Sequence, residues 1–328
     1  MKKVLSLILA LAMVFALVAC GEKQPASDGD ASSDGDKPAR GNVIMTFGTA
    51  DTGGSMYPAG AAVSQVWTNN VQGVKCNTQT STGSFQNCQD VSTGEVDVAV
   101  ATSDVVLNAY NGTGKFADIG KLDNLRVIGA VYTSVLSGVA LKSSGLTYIH
   151  DLLGKRVAVG PAASATENAT LAAFDAMGID SSNTSLENLG LGDGILDAAF
   201  GFAGLPIGGQ LNLAATKEIQ VLDMTQEEID KVLAGNAAYI QTKIPAGTYT
   251  GQDNDANTFG VKCLIIVTAD MDADLVYDLC KAMNEHTEEL AAGNALLKDM
   301  TDPSFLCTQM PIPLHDGAQK YYSEQGLI

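Results

Sequence analysis

From Asn42 onwards, short apolar runs alternate with longer segments that have the period of an amphipathic helix. The first three apolar runs predict strands at Val43–Phe47, Val74–Thr80 and Val96–Ala101. Each run is followed by a loop of small residues and then by a helical pattern. Strands that alternate with helices predict βαβ units and a parallel sheet covered on both faces. The chain therefore has the pattern of an α/β protein.

A second set of the same elements begins near residue 139. Arg156–Gly160 predicts a strand, and the small residues after it open a helix that runs to Met177. The pattern Gly-x-aliphatic-Asp-x-Ala-x occurs at residues 94–100 and again at residues 194–200. A further strand is predicted at Val261–Thr268, with helices at Asp274–Ala292 and Ala318–Glu324. The repeated pattern predicts two similar α/β lobes.

The sequence also indicates which segments connect the two lobes. An extended tract made of two runs, Arg126–Tyr132 and Leu136–Lys142, leaves the first lobe, and the turn-rich stretch 245–258 leads into the strand at Val261. We therefore expect lobe I to comprise residues 42–136 and 259–328, and lobe II residues 137–258. A chain that crosses twice between lobes makes a hinge, and a hinge around a cleft suits closure on a ligand.

The N-terminal segment predicts export. Lys2 and Lys3 precede an apolar run of 16 residues, Val4–Ala19, which is shorter than the roughly 20 residues that a spanning helix needs. Residues 1–19 are therefore interpreted as a secretory signal peptide. The end of the run resembles a bacterial lipobox, in which Cys20 is lipidated; an ordinary signal peptide with an incidental cysteine is the alternative. Residues 20–41 have no large apolar side chain and predict a flexible tether. We therefore expect an extracytoplasmic domain that is held by a lipid anchor to the outer face of the bacterial cytoplasmic membrane.

Charge narrows the range of partners. The chain has 19 basic and 37 acidic residues, a net charge of −18, which would repel phosphate backbones, so no nucleic-acid partner is expected. Its three arginines are Arg40, Arg126 and Arg156. The first lies in the tether, and the other two begin predicted strands, at the edge away from the cleft. A ligand site without arginine is therefore expected.

Cysteine usage indicates neither a metal nor a cofactor. Five cysteines remain after Cys20, which is an odd number. Buried free thiols are favoured over a bridge between Cys76 and Cys88. No CxxC pair or zinc spacing is present, so we expect no metal and no cofactor.

Four strand–loop–helix junctions are built from small residues: Thr49–Ser55, Ser81–Ser84, Thr102–Asp104 and Ala162–Thr166. Each follows a strand, so each lies at the carboxyl end of a sheet, where ligands bind in open α/β folds. Each also opens a helix, whose first N–H groups lack partners and carry partial positive charge. Several such ends together would hold a carboxylate without arginine. The alternative is that the serines, threonines and aspartates only cap their helices.

The sequence supports a catalytic function less well than it supports ligand binding. The histidines His150, His286 and His315 lie in separate segments without metal-binding spacing. Residues 53–57 fail the nucleophile-elbow pattern because Tyr57 replaces its second glycine. No dinucleotide motif or phosphate loop is present. We therefore expect no enzyme; a secreted hydrolase that uses Ser55 or Ser84 is the alternative from another class.

Over nearly the whole mature chain, the sequence resembles the TAXI proteins, the solute receptors of tripartite ATP-independent periplasmic (TRAP) transporters. The motifs that carry the resemblance are Phe47–Pro58, Thr82–Ser84, Gly94–Asp97, Ser103–Asp104, Asp151–Gly160, Ala203–Pro206, Ile244–Tyr249 and Pro311–Ala318. The resemblance implies a type II-like periplasmic-binding-protein fold, α/β with two lobes joined by a hinge. It also implies capture of a small organic anion, an amino acid such as glutamate or an oxo or dicarboxylic acid, and delivery to the TRAP membrane permease subunits.

Carried over by position, the resemblance implies a set of ligand-binding residues. In lobe I they are Gly53, Gly54, Ser55, Tyr57, Thr82, Gly83, Ser84, Ser103 and Asp104. In lobe II they are Ala163, Ser164, Ala165, Thr166, Ala203 and Gly204. Tyr132 is added as a candidate wall of the site. The family's Gly-Ser-Gly-Thr-type loop has alanine for both glycines here, which narrows the space at the backbone.

One segment departs from the family. The family usually has a helix between the strands that flank Leu189–Ile195, but only five residues intervene here, whereas a parallel crossover normally needs about a dozen. Trp67 is expected in the core, and His315 is expected to cap the last helix. The receptor of an ATP-driven importer, or a solute-sensing lipoprotein, is the nearest alternative function.

Overall fold

A computed structural model describes residues 41–52, 54–162, 164–189 and 196–328. The proposed signal peptide, the tether and Cys20 lie outside the described residues. The strands of the described part are β1 (Val43–Gly48), β2 (Val74–Gln79), β3 (Val98–Thr102), β4 (Leu125–Leu141), β5 (Arg156–Ala158), β6 (Ser185–Glu187), β7 (Ala198–Ala203), β8 (Ile219–Val221), β9 (Tyr239–Ile244) and β10 (Ala256–Thr268).

The α-helices of the same part are α1 (Met56–Asn70), α2 (Ser84–Thr93), α3 (Ser103–Asn111), α4 (Ala165–Ala176), α5 (Gly208–Ala214), α6 (Gln226–Gly235), α7 (Ala273–Glu285), α8 (Thr287–Gly293), α9 (Pro303–Cys307) and α10 (Asp316–Glu324). The described residues also contain short 3₁₀ turns at Gly114–Phe116, Lys142–Ser144, Ile149–Leu152 and Ala295–Thr301. The strand and helix types predicted from the apolar runs are confirmed. The helix expected at 274–292 is two helices, α7 and α8, with a break at His286.

The strands form one mixed sheet in the order β2-β1-β3-β10-β4-β7-β5-β6, with β8 on β4 and β9 on β10. In one half, β1 is parallel to β2 and β3; in the other, β5 is parallel to β6 and β7. The two central strands, β4 and β10, are antiparallel to each other and to their outer neighbours β7 and β3. The predicted α/β fold with two lobes is confirmed. The division at residues 137 and 258 stays a prediction, since β4 and β10 run through both halves.

The repeated Gly-x-aliphatic-Asp pattern marks the same position in each half. Asp97 precedes β3, and its Oδ2 accepts the N–H of Thr46 on β1 at 2.7 Å. Asp197 precedes β7, and its Oδ2 accepts the N–H of Arg156 on β5 at 2.8 Å. Each aspartate also donates its own N–H to the carbonyl of the same neighbour. These two carboxylates therefore set the register of equivalent parallel strand pairs.

The core between α1, α7 and the sheet encloses Trp67. Its side chain is 0% exposed, its ring stacks on Phe47 with centroids 5.4 Å apart, and its Nε1–H donates to the carbonyl of Leu279 at 3.0 Å. His315 caps α10: its Nδ1 accepts the N–H of Gly317 at 3.1 Å. Both residues thus have the structural roles predicted from the sequence.

The five described cysteines are all free and buried, which confirms the prediction of free thiols. Burial raises the pKa of Cys76 and of Cys263 to about 11, so both stay protonated at neutral pH. Cys76 lies on β2 and Cys88 on α2, as the strand and helix patterns predict.

Residues 188–197 connect β6 to β7, which lie on opposite sides of β5. In the other half the equivalent connection, from β2 to β3, contains α2. The shortened crossover predicted at Leu189–Ile195 falls mainly on residues 190–195, outside the described part of the chain.

Lys262, on the central strand β10, forms hydrogen bonds to the C-terminal segment around α9. It is 3% exposed, and its Nζ donates to the carbonyls of Phe305 and Thr308, both at 2.9 Å. The ammonium also lies 4.5 Å from the centroid of the Phe305 ring. Burial lowers the pKa of Lys262 to about 8, although Cys307, Asp302 and Asp299 act to raise it.

This pKa predicts a pH-dependent difference in stability between the wild type and Lys262→Met. An unfolded lysine has a pKa of about 10.4, so between about pH 8 and that value the unfolded chain binds a proton that the folded chain does not. The wild type should therefore gain free energy of unfolding relative to the variant as the pH rises through this window, by at most about 3 kcal/mol after solvent screening. Urea denaturation of both proteins at pH 7.5, 8.5 and 9.5 measures this. A difference that does not change with pH would contradict the lowered pKa.

Candidate functional site

The carboxyl ends of the parallel strands in the two halves face each other across β4 and β10. Thr102, at the end of β3, pairs with Cys263, which pairs with Tyr132 on β4. Ala203, at the end of β7, pairs with Val135 on β4. Because β3 and β7 run in opposite directions, their ends approach each other and stop three β4 positions apart, about 10 Å. This gap between the carboxyl ends of β3 and β7 is the candidate cleft. The loops that follow the parallel strands of the two halves form its walls.

Three helices of lobe I begin at this edge. The residues that precede α1, α2 and α3 are Ser55, Gly83 and Thr102, and none of them makes a side-chain hydrogen bond to the first N–H groups of its helix. The N-termini of α1 and α2 therefore keep the partial positive charge that suits an anion. In α3 the Asp104 carboxyl group lies in the first turn and interacts with the N–H groups of Asp104 and Val105, so the capping alternative applies there.

In lobe II the helix end differs. The Oγ of Ser164 accepts the N–H of Glu167 at 3.1 Å, so the capping alternative is confirmed for α4. The Glu167 carboxylate, in the first turn, accepts a hydrogen bond from Asn188. Ala165 and Thr166 form the start of the helix, and Ala165 is exposed. Of the four junctions predicted from the sequence, those before α1 and α2 have no side-chain cap, whereas the helix start is covered by Asp104 in α3 and capped by Ser164 in α4.

Polar side chains of the α2 segment tie the three lobe I loops together. The Nδ2 of Asn87 donates to the carbonyls of Thr49 at 2.6 Å and Val100 at 2.7 Å. The Ser81 hydroxyl donates to the same Thr49 carbonyl at 2.8 Å and accepts the N–H of Gly83 at 2.9 Å. Asn87 is 0% exposed, and its Oδ1 has no hydrogen-bond partner. It thus holds the ends of β1 and β3 at a fixed spacing.

Ser84 and Ser103 use their hydroxyls to bond neighbouring loops. The Oγ of Ser84 accepts the N–H of Thr102 at 3.0 Å and the Thr102 hydroxyl at 3.3 Å. The Ser103 hydroxyl donates to the carbonyl of Ala238 at 3.1 Å. Thr82 bonds the side chain of Gln86 through its N–H and its hydroxyl, both at 2.9 Å. The structure therefore gathers Thr82, Gly83, Ser84 and Ser103 at one edge, as expected.

Asp104 lies in the first turn of α3 with its Oδ1 enclosed and without a partner. Burial raises the pKa of this carboxyl, while hydrogen bonds from the Thr102 side chain and from the N–H groups of Val105 and Asp104 act to lower it. Tyr239, the first residue of β9, is close enough that burial together with the Asp104 charge raises its pKa to about 12. Burial therefore disfavours the charged form of both groups.

The other implied residues are more scattered. Gly54 is exposed and donates its N–H to the carbonyl of Asp51 at 3.0 Å, and Tyr57 is half-buried in the first turn of α1. Tyr132 is 1% exposed and packs in the core. Its ring lies against Gly204, where an added Cβ would come within 3.2 Å of Tyr132 Cδ2 and 1.9 Å of Leu296 Cδ1. The structure thus brings together three of the implied residues, Tyr132, Ala203 and Gly204. They lie next to the turn Ala295–Thr301, which contains Leu296. Gly53 and Ala163 lie outside the described residues.

No lysine or arginine occurs in the loops that end β1, β2, β3, β5 and β7. Arg126 and Arg156 lie at the starts of β4 and β5, at the far edge, as predicted. In the described part of the chain no group of His, Cys, Asp or Glu is arranged to hold a metal ion. Within the same residues no helix has the length and apolar character to span a bilayer.

Each histidine ring has a partner other than the candidate nucleophiles Ser55 and Ser84. The Nδ1 of His150 lies 2.7 Å from Glu228 Oε1, and the Nδ1 of His286 lies 3.0 Å from Glu289 Oε2. His315 caps α10. The described residues therefore provide binding groups at this edge rather than a serine–histidine pair.

Sequence reasoning missed Asn87. A polar residue in the middle of a helical pattern gives no signal by itself. Its spacing of three residues from Ser84 places these two on one helix face, and that spacing could have identified it.

An α/β fold with two lobes whose strand ends face each other is the architecture of solute-binding proteins. The chain belongs to the NMT1-like family, whose model matches residues 47–326, and this family is of the extracytoplasmic solute-binding type. A TctC solute binding protein from Polaromonas aligns at 13% identity over 87% of this chain and 98% of its own, with a TM-score of 0.51. This similarity supports the fold.

Two other solved structures align with lower TM-scores. The alkanesulfonate-binding protein SsuA from Xanthomonas axonopodis pv. citri, bound to MOPS, aligns at 14% identity over 87% of this chain and 85% of its own, with a TM-score of 0.45. The probable amino-acid ABC transporter extracellular-binding protein from Bacillus subtilis aligns at 15% identity over 79% of this chain and 96% of its own, also with a TM-score of 0.45.

Proposed function

We propose that this protein is the receptor of a TRAP-type secondary transporter, of the TAXI subfamily, and that it binds a small organic anion in the cleft between its lobes. The observation that carries the proposal is the set of three helix N-termini, α1 to α3, held together at one edge of the sheet, of which α1 and α2 have no side-chain cap. Backbone N–H groups at helix N-termini bind carboxylates without a cationic side chain. The absence of lysine and arginine from these loops fits that mode of binding.

The proposed ligand is an amino acid such as glutamate, or an oxo or dicarboxylic acid. The residues proposed to line the closed site are Gly53, Gly54, Ser55, Tyr57, Thr82, Gly83, Ser84, Ser103, Asp104, Tyr132, Ala163, Ser164, Ala165, Thr166, Ala203 and Gly204. Lobe I supplies the uncapped helix ends and lobe II the capped start of α4. The anionic end of the ligand is therefore placed against lobe I.

Delivery requires a membrane partner. We propose that Cys20 carries the lipid that keeps the receptor at the outer face of the cytoplasmic membrane, near the TRAP permease subunits. Mass spectrometry of the intact protein purified from membranes tests whether a lipid is attached. The Cys20→Ala variant should lack the mass that the lipid adds. Binding to detergent-solubilised permease tests the partner.

A thermal-shift screen of the mature protein against amino acids, oxo acids and dicarboxylic acids tests the ligand class. A ligand at 100 times its dissociation constant adds about 2.7 kcal/mol to the free energy of unfolding, so the expected result is a clear rise in Tm with one or a few acids. Ser84→Ala should reduce the shift, whereas Ser181→Ala, at an exposed turn, should leave it unchanged. A folded sample that responds to no acid would contradict an anion receptor.

The alternative within binding proteins is the receptor of an ATP-driven importer or a solute sensor. The neighbouring genes separate these functions: a large permease gene pair is expected for TRAP transport, and an ATPase gene for the alternative. A hydrolase is disfavoured by the histidine contacts described above, and turnover abolished by Ser55→Ala or Ser84→Ala would be needed to support it.

A further inference from the structure

A cavity of about 340 Å³ opens at the end of lobe II that lies away from the candidate cleft. It is bounded by Lys142, which follows β4, by residues 214–219 between α5 and β8, and by the turn at Thr250 and Gly251. At about 3.3 Å per residue, the seven residues from Val135, beside the cleft, to Lys142 span about 23 Å. The cavity is therefore separate from the cleft.

Hydrogen bonds hold the segments around this cavity in place. The N–H of Lys142 donates to the carbonyl of Glu218 at 2.9 Å, next to the pairing of β4 with β8. The N–H of Gln252 donates to the carbonyl of Tyr249 at 3.1 Å and closes the turn between them. Tyr249 is 2% exposed, and its hydroxyl accepts the N–H of Ile207, the residue before α5, at 3.0 Å. The cavity is thus preformed, and its volume lies within the range of small-molecule sites.

Three charged residues line the cavity: Lys142, Lys217 and Glu218, all of them exposed. Within the described part of the chain neither lysine forms a salt bridge, although the sequence has 37 acidic residues against 19 basic ones. Two ammonium groups around one cavity repel each other, and an anion bound between them replaces that repulsion by attraction. The cavity therefore has a positive balance of charge on a protein whose net charge is −18.

Hydrogen-bond acceptors stand beside the two lysines. The Thr216 hydroxyl donates to the carbonyl of Leu213 at 3.2 Å, so its oxygen is left as an acceptor. The carboxylate of Glu218, two residues further along, can only accept. The segment 216–218 thus offers two acceptors for an amino group next to the donors for an anion.

We propose that this cavity is a second binding site, which takes a small molecule with two anionic groups and one amino group. The anionic groups bind Lys142 and Lys217, and the amino group binds Glu218 and Thr216. Two positive charges and one negative charge on the protein then meet the opposite set on the ligand. An acidic amino acid has this pattern of charges. The proposal goes beyond the function proposed above, because this site binds whether or not the cleft takes the same molecule.

The first experiment uses L-aspartate and succinate as probes, since succinate is the same dicarboxylate without the amino group. Backbone amide NMR of the isotope-labelled mature protein locates each probe. We expect L-aspartate to shift the amide signals of Lys142 and of residues 214–219 and 250–251 until they saturate, and succinate to need a higher concentration. No shift of these signals at about 10 mM L-aspartate would overturn the proposal, because a site with a dissociation constant of about 1 mM would then be nearly full.

Lysine variants test the anion contacts. Lys142→Gln and Lys217→Gln should each weaken binding of L-aspartate at the cavity about threefold to fivefold, and the double variant about tenfold or more, as expected for exposed ion pairs. Lys155→Gln is the matched control, because it makes the same change at an exposed lysine outside the cavity and should leave the affinity unchanged. An unchanged affinity in the double variant would overturn the proposal.

Glu218→Gln tests the contact to the amino group. It should weaken binding of L-aspartate and strengthen binding of succinate, because it removes a partner of the amino group and a charge that repels a dicarboxylate. The two affinities should therefore become similar. A preference for L-aspartate that persists in full would overturn the proposed ligand class.

The positions of the shifted signals separate this proposal from the proposed function. Shifts confined to residues 82–84 and 102–104 would overturn the second site and support the receptor function of the cleft. Shifts confined to the cavity support the second site, and the thermal-shift screen then decides the receptor function independently. Shifts in both places, of which only those at the cavity are lost in the double lysine variant, support both proposals.

Discussion

Replacement of Asn87 by aspartate is expected to destabilise the fold by roughly 3 kcal/mol or more and to weaken ligand binding in whatever fraction still folds. Asn87 is fully buried, and its amide nitrogen donates to two carbonyls, those of Thr49 and Val100. An ionised aspartate would face both carbonyls with an oxygen, and a protonated one could restore only one of the two bonds. Each lost bond removes about 1 kcal/mol, and each buried group left unpaired costs about 1–3 kcal/mol.

Chemical denaturation followed by fluorescence measures this effect directly, because Trp67 is the single tryptophan and is buried against Phe47. Asn77→Asp provides the matched control, since it makes the same chemical change at an exposed position on β2 and should alter the free energy of unfolding by less than about 0.5 kcal/mol. Equal effects of the two substitutions would contradict the role assigned to Asn87.

Gly260→Ala is expected to cost about 2–4 kcal/mol and to change how the two lobes are held. A Cβ at Gly260 would lie 2.4 Å from the carbonyl oxygen of Ser134, which belongs to the backbone of β4 and cannot rotate away. Overpacking against side chains costs about 1–3 kcal/mol, and an obstacle in the backbone is harder to relieve. Gly260 pairs with Val135, at the lobe II side of the candidate cleft. The variant should therefore also show a lower ligand affinity.

Denaturation midpoints and the affinity for the ligand found in the thermal screen are the measurements for this variant. Gly293→Ala is the control, because a Cβ there meets no atom within 4 Å and the position ends α8. It should be neutral or slightly stabilising, by up to about 1 kcal/mol. If Gly260→Ala were as stable as the control, the prediction would be wrong, because β4 and β10 could then move apart at this point without loss of stability.

The element types were predictable because most elements carry their own pattern. β1 and α1 follow the alternating and helical periods closely, and the two Asp-containing repeats predicted a doubled α/β arrangement that the hydrogen bonds of Asp97 and Asp197 bear out. β4 was less visible. Thr133 and Ser134 interrupt its apolar run, yet pairing with β10 continues through them, because hydrogen bonding across the sheet overrides local pattern.

The candidate site was predictable in its position but not in its detail. Small residues after strands indicated where the loops lie, but the same residue types serve as caps in one loop and not in another. Ser164 caps α4, whereas Ser55 makes no capping bond to α1, and the difference depends on backbone angles that the sequence does not reveal. Asn87 and the enclosed Asp104 oxygen depend on contacts between segments far apart in the chain, for which no local pattern exists.

The unbroken course of β4 has a mechanical consequence. At about 3.3 Å per residue, its 17 residues form a strand about 56 Å long, and this strand belongs to both halves of the sheet. With β10 bonded alongside it, this ribbon can bend and twist but cannot slide, because sliding would break the ladder along its whole length. Closure of the lobes would then store elastic strain in the middle of the ribbon, and hydrogen exchange at the amides of residues 132–135 would respond to a ligand that never touches them.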